Sequence, residues 1–152
     1  MNHQMVRIKI DKLVRDHSGG VLRAKGIHSS ERVMELSEYK IELASKLLEE
    51  AKEAIAAKDE DEIMEELSDL LEVMVSILNV YGKNFEDLEK RRLQKQAVKG
   101  GFEARIYCSH VDMRADNENL SYYRRDPQRY PEIDFKVQEG NFVYPSDHID
   151  KS

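Results

Sequence analysis

At 152 residues the chain is long enough for one domain with one real core. Charged residues make up 36% and the net charge is −6, which gives a well-hydrated surface and argues against a nucleic-acid partner held through its phosphates. A single cysteine, Cys108, excludes an internal disulfide framework. No apolar run can span a membrane and no basic stretch followed by apolar residues opens the chain, so a reducing, cytoplasmic setting is expected.

In chain order, Val6, Ile8 and Ile10 alternate with Arg7 and Lys9, a pattern for a short strand or an extended arm. Lys12 and Arg15 follow, three apart, before a flexible Ser18-Gly19-Gly20. Two such cations suit phosphate oxygens, or form a plain solvated patch. Val21 to Lys25 is at most a short helix, ended by Gly26. A long helix is expected from Ser37, with Leu36 and Ile41 as a hydrophobic staple. Ala57 to Asp61 is a break long enough to turn the chain back. Asp59 with Glu62 caps a second long helix, which Gly82 ends. Asn84 with Asp87 caps a third, roughly Phe85 to Val98, with Phe85, Leu88 and Leu93 as its core candidates and Arg91, Arg92, Lys95 and Lys99 on its other face. Gly100-Gly101 ends that helix or, flanked by Lys99 and Arg105, offers backbone N–H groups to an anion. From Cys108 the composition shifts to Tyr and Pro without a helical period. Alternation through Ile133, Phe135 and Val137, then Gly140-Asn141, Phe142 and Tyr144, points to a small hairpin. The expected fold is all-α: an antiparallel bundle of about four helices over residues 1–107, with an irregular C-terminal extension over 108–152.

Chemistry concentrates between Leu47 and Glu72. Glu50 with Glu53, and Glu66 with Asp69, are spaced i, i+3, so each pair shares one helix face with Cβ atoms roughly 5–6 Å apart. Antiparallel pairing across the break gathers all four. Unpaired carboxylates repel, so such a quartet needs a cation, and all-oxygen ligation favours Mg²⁺ or Mn²⁺. At ~100° per residue, Glu66 falls inside the apolar arc of Asp61–Val80, between Leu70 and Val73, and Asp69 lies at its edge. Glu50 borders the stripe of the preceding helix (Ile41, Leu43, Ala44, Leu47, Leu48, Ala51, Ala54 and Ile55) and Glu53 lies just beyond it. A carboxylate among core residues is costly unless compensated. Set against this, charge-rich helices carry carboxylates at i, i+3 by chance. The apolar arc of Asp61–Val80 is wider than one neighbouring helix covers, so self-association is expected.

P-loop, GxGxxG, CxxC, HExxH and GxSxG patterns are absent, and the five histidines are scattered. Lys12-Leu13-Val14-Arg15-Asp16, the EExxE of Glu49 to Glu53 with the ExxD of Glu66 to Asp69, and Lys99-Gly100-Gly101-Phe102 with Arg105 together resemble the motifs of MazG-like nucleotide pyrophosphohydrolases, relatives of phosphoribosyl-ATP pyrophosphohydrolase. The resemblance covers about residues 9–107. It departs where His17-Ser18-Gly19-Gly20 replaces the family's Ile-Pro-Glu, and where Lys99 replaces an Arg. It implies a helical bundle, dimeric or built from dimers, that converts a nucleoside triphosphate to the monophosphate and pyrophosphate with Mg²⁺, Mn²⁺ being the alternative ion. Glu50, Glu53, Glu66 and Asp69 would hold the metal. Glu49 would orient the attacking water or bind a further ion, and Glu50 would share the catalytic role. Lys12, Arg15, Lys95, Lys99 and Arg105, with Arg92 as a weaker candidate, would neutralise the triphosphate. Rival expectations are a phosphoribosyl-ATP hydrolase, a non-catalytic helical interaction protein whose Glu66 is unburied, and a di-iron or di-manganese carboxylate bundle. The last normally adds Glu-x-x-His, which neither helix contains.

Overall fold

A computed structural model describes residues 5–133 of the chain. Its helices are α1 (Ser18–Ala24), α2 (Leu36–Ala56), α3 (Glu60–Val80), α4 (Phe85–Lys99) and α5 (Leu120–Arg124), with no strand among the described residues. The fold is all-α, as the sequence predicts. The chain divides into two compact units, Met1–Gly101 and Phe102–Ser152.

In the first unit, α2 runs through Ala, Leu, Glu and Lys with no Gly or Pro, all good helix formers. Its first residue is Leu36, after Glu35, and no side chain caps it. Leu36 and Ile41 are both exposed, so the expected staple does not form. The chain leaves α2 at Ala57 in an extended conformation and restarts at Asp59. The Asp59 carboxylate accepts from Glu62 N at 2.9 Å, while the Glu62 carboxylate accepts from Lys58 N at 2.8 Å, one residue earlier than a capping box requires. So short a turn sends α3 back along α2, and the two pack along their lengths.

The far end of α3 closes by local chemistry. Gly82 takes φ +63, its N–H donates to Asn79 O, and Lys83 N–H donates to Leu78 O, the paired bonds of a Schellman motif. Next, Asn84 accepts from Asp87 N at 2.9 Å and Asp87 accepts from Asn84 N at 3.1 Å, a full capping box that starts α4. Gly100 ends α4 at φ +76 with its N–H spent on Gln96 O, so that amide is not offered to an anion.

Burial is sparse. Among the described residues the buried side chains are Leu43, Val73 and Glu50. The apolar arc of α2 is covered on the side of Leu43, Leu47 and Ala54, whereas Ile41, Leu48 and Ile55 stay bare. On α3 the covered side holds Val73, Leu70 and Ile77, and Met64, Leu67 and Leu71 stay exposed. α4 buries nothing: Phe85 and Leu93 are about half exposed and Leu88 is half-buried, so none of its three core candidates is core.

Three further expectations change. Residues 5–10 form neither strand nor helix, which leaves the arm, and Val6, Ile8 and Ile10 are exposed. Ser18-Gly19-Gly20 is the first turn of α1 rather than a flexible break, and Gly19 is buried there. Within the second unit, the expected irregular extension contains α5, a helix too short to show a period. It carries Tyr122 and Tyr123, which meet each other and Tyr130 edge-on or tilted with centroids 5.2–6.0 Å apart. The predicted hairpin lies outside the described residues beyond Ile133.

Candidate metal centre

Helical spacing places Lys46, Glu49, Glu50 and Glu53 along one side of α2, and the turn brings Glu66 and Asp69 of α3 against them. Carboxylate oxygens of Glu49, Glu50 and Glu53 lie within 4.8 Å of one another, and so do those of Glu50, Glu66 and Asp69. Glu50 belongs to both groups and joins them.

Glu50 is the buried carboxylate, 2% exposed. The sequence pattern assigned that place to Glu66, which is only half-buried. The reason is angular. Both apolar arcs are wider than the contact between the helices, and α2 turns the Glu50 edge of its stripe toward α3. One oxygen of Glu50, Oε1, is ion-paired with Lys46 Nζ at 2.6 Å. The other, Oε2, is buried without any hydrogen-bond partner. An unsatisfied buried acceptor costs roughly 1–3 kcal/mol, and more when charged, so this oxygen is free to accept from a donor or to bind a cation.

Three cations enter the cluster. Lys46 also reaches Glu49 Oε1 at 3.2 Å. Burial works against its ammonium, but hydrogen bonds to Glu50 and Glu49 outweigh that, and its pKa lies above the ordinary lysine value. Lys12 Nζ is 2.6 Å from Glu49 Oε1, and Arg15 Nη2 pairs with Asp69 Oδ1. The Lys12 hydrogen bond, with help from Lys46, holds Glu49 below the usual carboxylate range. Glu66 moves the other way: partial burial first, then repulsion from Glu53, Glu50 and Asp69, push its pKa up. Five carboxylates thus face three cations, which leaves two carboxylate charges uncompensated in the ion-free chain. A donor set of carboxylate oxygens alone suits a hard cation.

Of the cations expected at the triphosphate, only Lys12 and Arg15 are seen on the carboxylates. Arg92 is bound back onto Glu89 of its own helix. Lys95 and Lys99 are exposed on α4 and form no ion pair among the described residues, and Arg105 belongs to the second unit, where it takes φ +54. Lys46 escaped the sequence reading, although Lys at i with Glu at i+3 and i+4 was a visible signal. It looks like any surface helix pair until its partner proves to be buried. No family model, curated protein or solved structure matches this chain.

Proposed function

We propose that the chain is a Mg²⁺-dependent hydrolase that converts a nucleoside triphosphate, ribo or deoxy, to the monophosphate and pyrophosphate. The observation that carries this is Glu50 Oε2, a buried carboxylate oxygen without a partner at the junction of two carboxylate groups. The substrate class rests on the resemblance of KLVRD, EExxE…ExxD and KGGF…R to MazG-like pyrophosphohydrolases, supported by the arrival of Lys12 and Arg15 at the cluster.

Glu50, Glu53, Glu66 and Asp69 would hold the ion, which when bound supplies charge neutralisation at phosphate oxygens and acidifies water. Glu49, next in sequence to the ligand Glu50, orients the attacking water. Lys12 and Arg15 neutralise the phosphates, with Lys95, Lys99 and Arg92 of the same unit as further candidates. Water adds to the α-phosphorus in line, the bond to the bridging oxygen of the β-phosphate breaks, and pyrophosphate leaves as one proton is released.

The protein acts as a homodimer or a dimer-based oligomer. Supporting this, the buried apolar side chains among the described residues are Leu43 and Val73 alone, while Ile41, Leu48 and Ile55 recur bare at heptad spacing on α2 and Met64, Leu67 and Leu71 on α3. So small a core rarely holds a chain of this length folded by itself. No helix among the described residues is long and apolar enough to cross a membrane, and the free, exposed thiol of Cys108 suits a reducing cytoplasm.

A nucleotide panel with Mg²⁺, read for pyrophosphate and orthophosphate separately, tests the activity. Pyrophosphate release that EDTA abolishes is expected. Orthophosphate with a diphosphate product would overturn attack at the α-phosphorus, and silence across the panel, phosphoribosyl-ATP included, would leave a non-catalytic helical protein.

A further inference from the structure

Residues 5–17 form no helix or strand, yet they reach the carboxylate cluster at two points. Lys12 holds Glu49, 37 residues away on α2, and Arg15 holds Asp69, 54 residues away on α3. Among the described residues these are the side-chain bonds from this segment to the helical hairpin, with Leu13 half-buried between them. Each clamps a different carboxylate group: Glu49 belongs with Glu50 and Glu53, Asp69 with Glu50 and Glu66.

The three cations of the cluster are not alike. Lys46 rises from the same helix as its partners and its side chain is 18% exposed, so it is built in. Lys12 and Arg15 are 46% and 60% exposed and arrive on an irregular segment. Ion pairs of that exposure hold by no more than about fivefold in an equilibrium constant. A divalent ion at Asp69 faces the guanidinium already there, and two cations crowded on one carboxylate repel. Released, Arg15 presents a planar fork of donors that fits a phosphate.

We infer that the segment around Lys12 and Arg15 is an exchangeable strap: it neutralises Glu49 and Asp69 in the ion-free protein, yields Asp69 to a divalent ion, and passes its cations to the substrate's phosphates. This rests on the proposed cation site, and it adds a coupling. The strap weakens binding of the ion alone and strengthens binding of ion and triphosphate together, and linkage makes that coupling reciprocal.

The test is Mn²⁺ binding by the full chain without nucleotide, followed by binding of a non-hydrolysable α,β-methylene triphosphate in excess Mn²⁺. For Arg15→Met, Mn²⁺ alone should bind about two- to fivefold tighter, the share a competing exposed ion pair withholds. The same variant should bind the analogue about tenfold more weakly, as expected when a charge-assisted phosphate contact is lost. Lys12→Met repeats both measurements at the Glu49 end, should Arg15→Met fold poorly. If wild type binds Mn²⁺ and neither variant tightens it, the strap is wrong while the cation site stands. Tighter Mn²⁺ with unchanged analogue binding overturns the transfer to phosphate. A wild type that binds no Mn²⁺ at millimolar concentration overturns the strap and the cation site together.

Discussion

α4 has the clearest start of the long helices and buries nothing, while α2 begins without a cap and contains Glu50, the most deeply buried residue of the α2/α3 hairpin. The contrast separates two kinds of information. A cap is a bargain between residues three apart, complete in itself. Burial needs a second surface, and α4 lacks an extensive one among the described residues. In the hairpin the second surface exists, and its most deeply buried position holds a carboxylate rather than a third apolar side chain beside Leu43 and Val73.

The largest expected effect breaks the hairpin's side of the comparison. Glu50→Gln keeps the shape and removes the charge. Mg²⁺-dependent pyrophosphate release should fall more than about 100-fold, in line with loss of a metal-anchored electrostatic group. The rise in Tm expected of wild type with Mg²⁺ should vanish with it. A variant that keeps either response removes Glu50 from the site.

Next comes the Lys46–Glu50 pair. Replacing both by Met removes a largely buried ion pair together with its unpartnered oxygen, and the ion-free protein should gain about 1–4 kcal/mol in chemical denaturation. Lys46→Met alone should instead lose about 1–3 kcal/mol, because Glu50 is left without its counter-charge. If single and double variants shift in the same direction, Lys46 and Glu50 do not act as one unit.

Cap removal then compares the two regions directly. Asn84→Ala and Asp59→Ala should each cost about 1 kcal/mol. Only Asp59→Ala should also weaken Mn²⁺ binding, because the turn it stabilises sets α3 against α2. Calorimetry on both variants decides this, and equal Mn²⁺ affinities would mean that the turn does not set the site.

The smallest effect is a pH contrast in EDTA. Glu89 on α4 is held below its ordinary range by its hydrogen bonds to Arg92, so its contribution is present above about pH 4.5 and lost as pH falls through its depressed pKa. Glu66 lies above its ordinary range, so its contribution is present below about pH 4.5 and lost as pH rises through the raised value. Arg92→Gln should therefore differ from wild type in helicity at pH 7 and match it at pH 3. Glu66→Gln should match wild type in Tm at pH 4 and exceed it at pH 7. Parallel pH profiles for the two variants would contradict the opposite shifts.

What the sequence made legible follows the same division. Asp59, Gly82 and Asn84 state their roles within four residues, and each sits where its pattern places it. The i, i+3 spacing of the carboxylates is likewise local. Two arcs, each wider than the contact between them, leave undetermined which half is covered, and so Glu50 rather than Glu66 is the buried one. The partners of Lys12 and Arg15 lie 37 and 54 residues away, beyond any short-range pattern. α1 runs through Gly19 and Gly20, whose poor helix propensity pointed to a break.

The turn between Ala56 and Glu60 has a consequence for when the centre comes into being. All its carboxylates, from Glu49 to Asp69, lie in two consecutive helices, so their contacts have low sequence separation and little loop-closure entropy to overcome. Such a hairpin is the kind of element that forms early, before α4 or the second unit need be in place. The strap lies upstream and has already left the ribosome by then. The nascent hairpin therefore gathers its like charges in the presence of the cations that neutralise them, with Lys46 built in and Lys12 and Arg15 close behind.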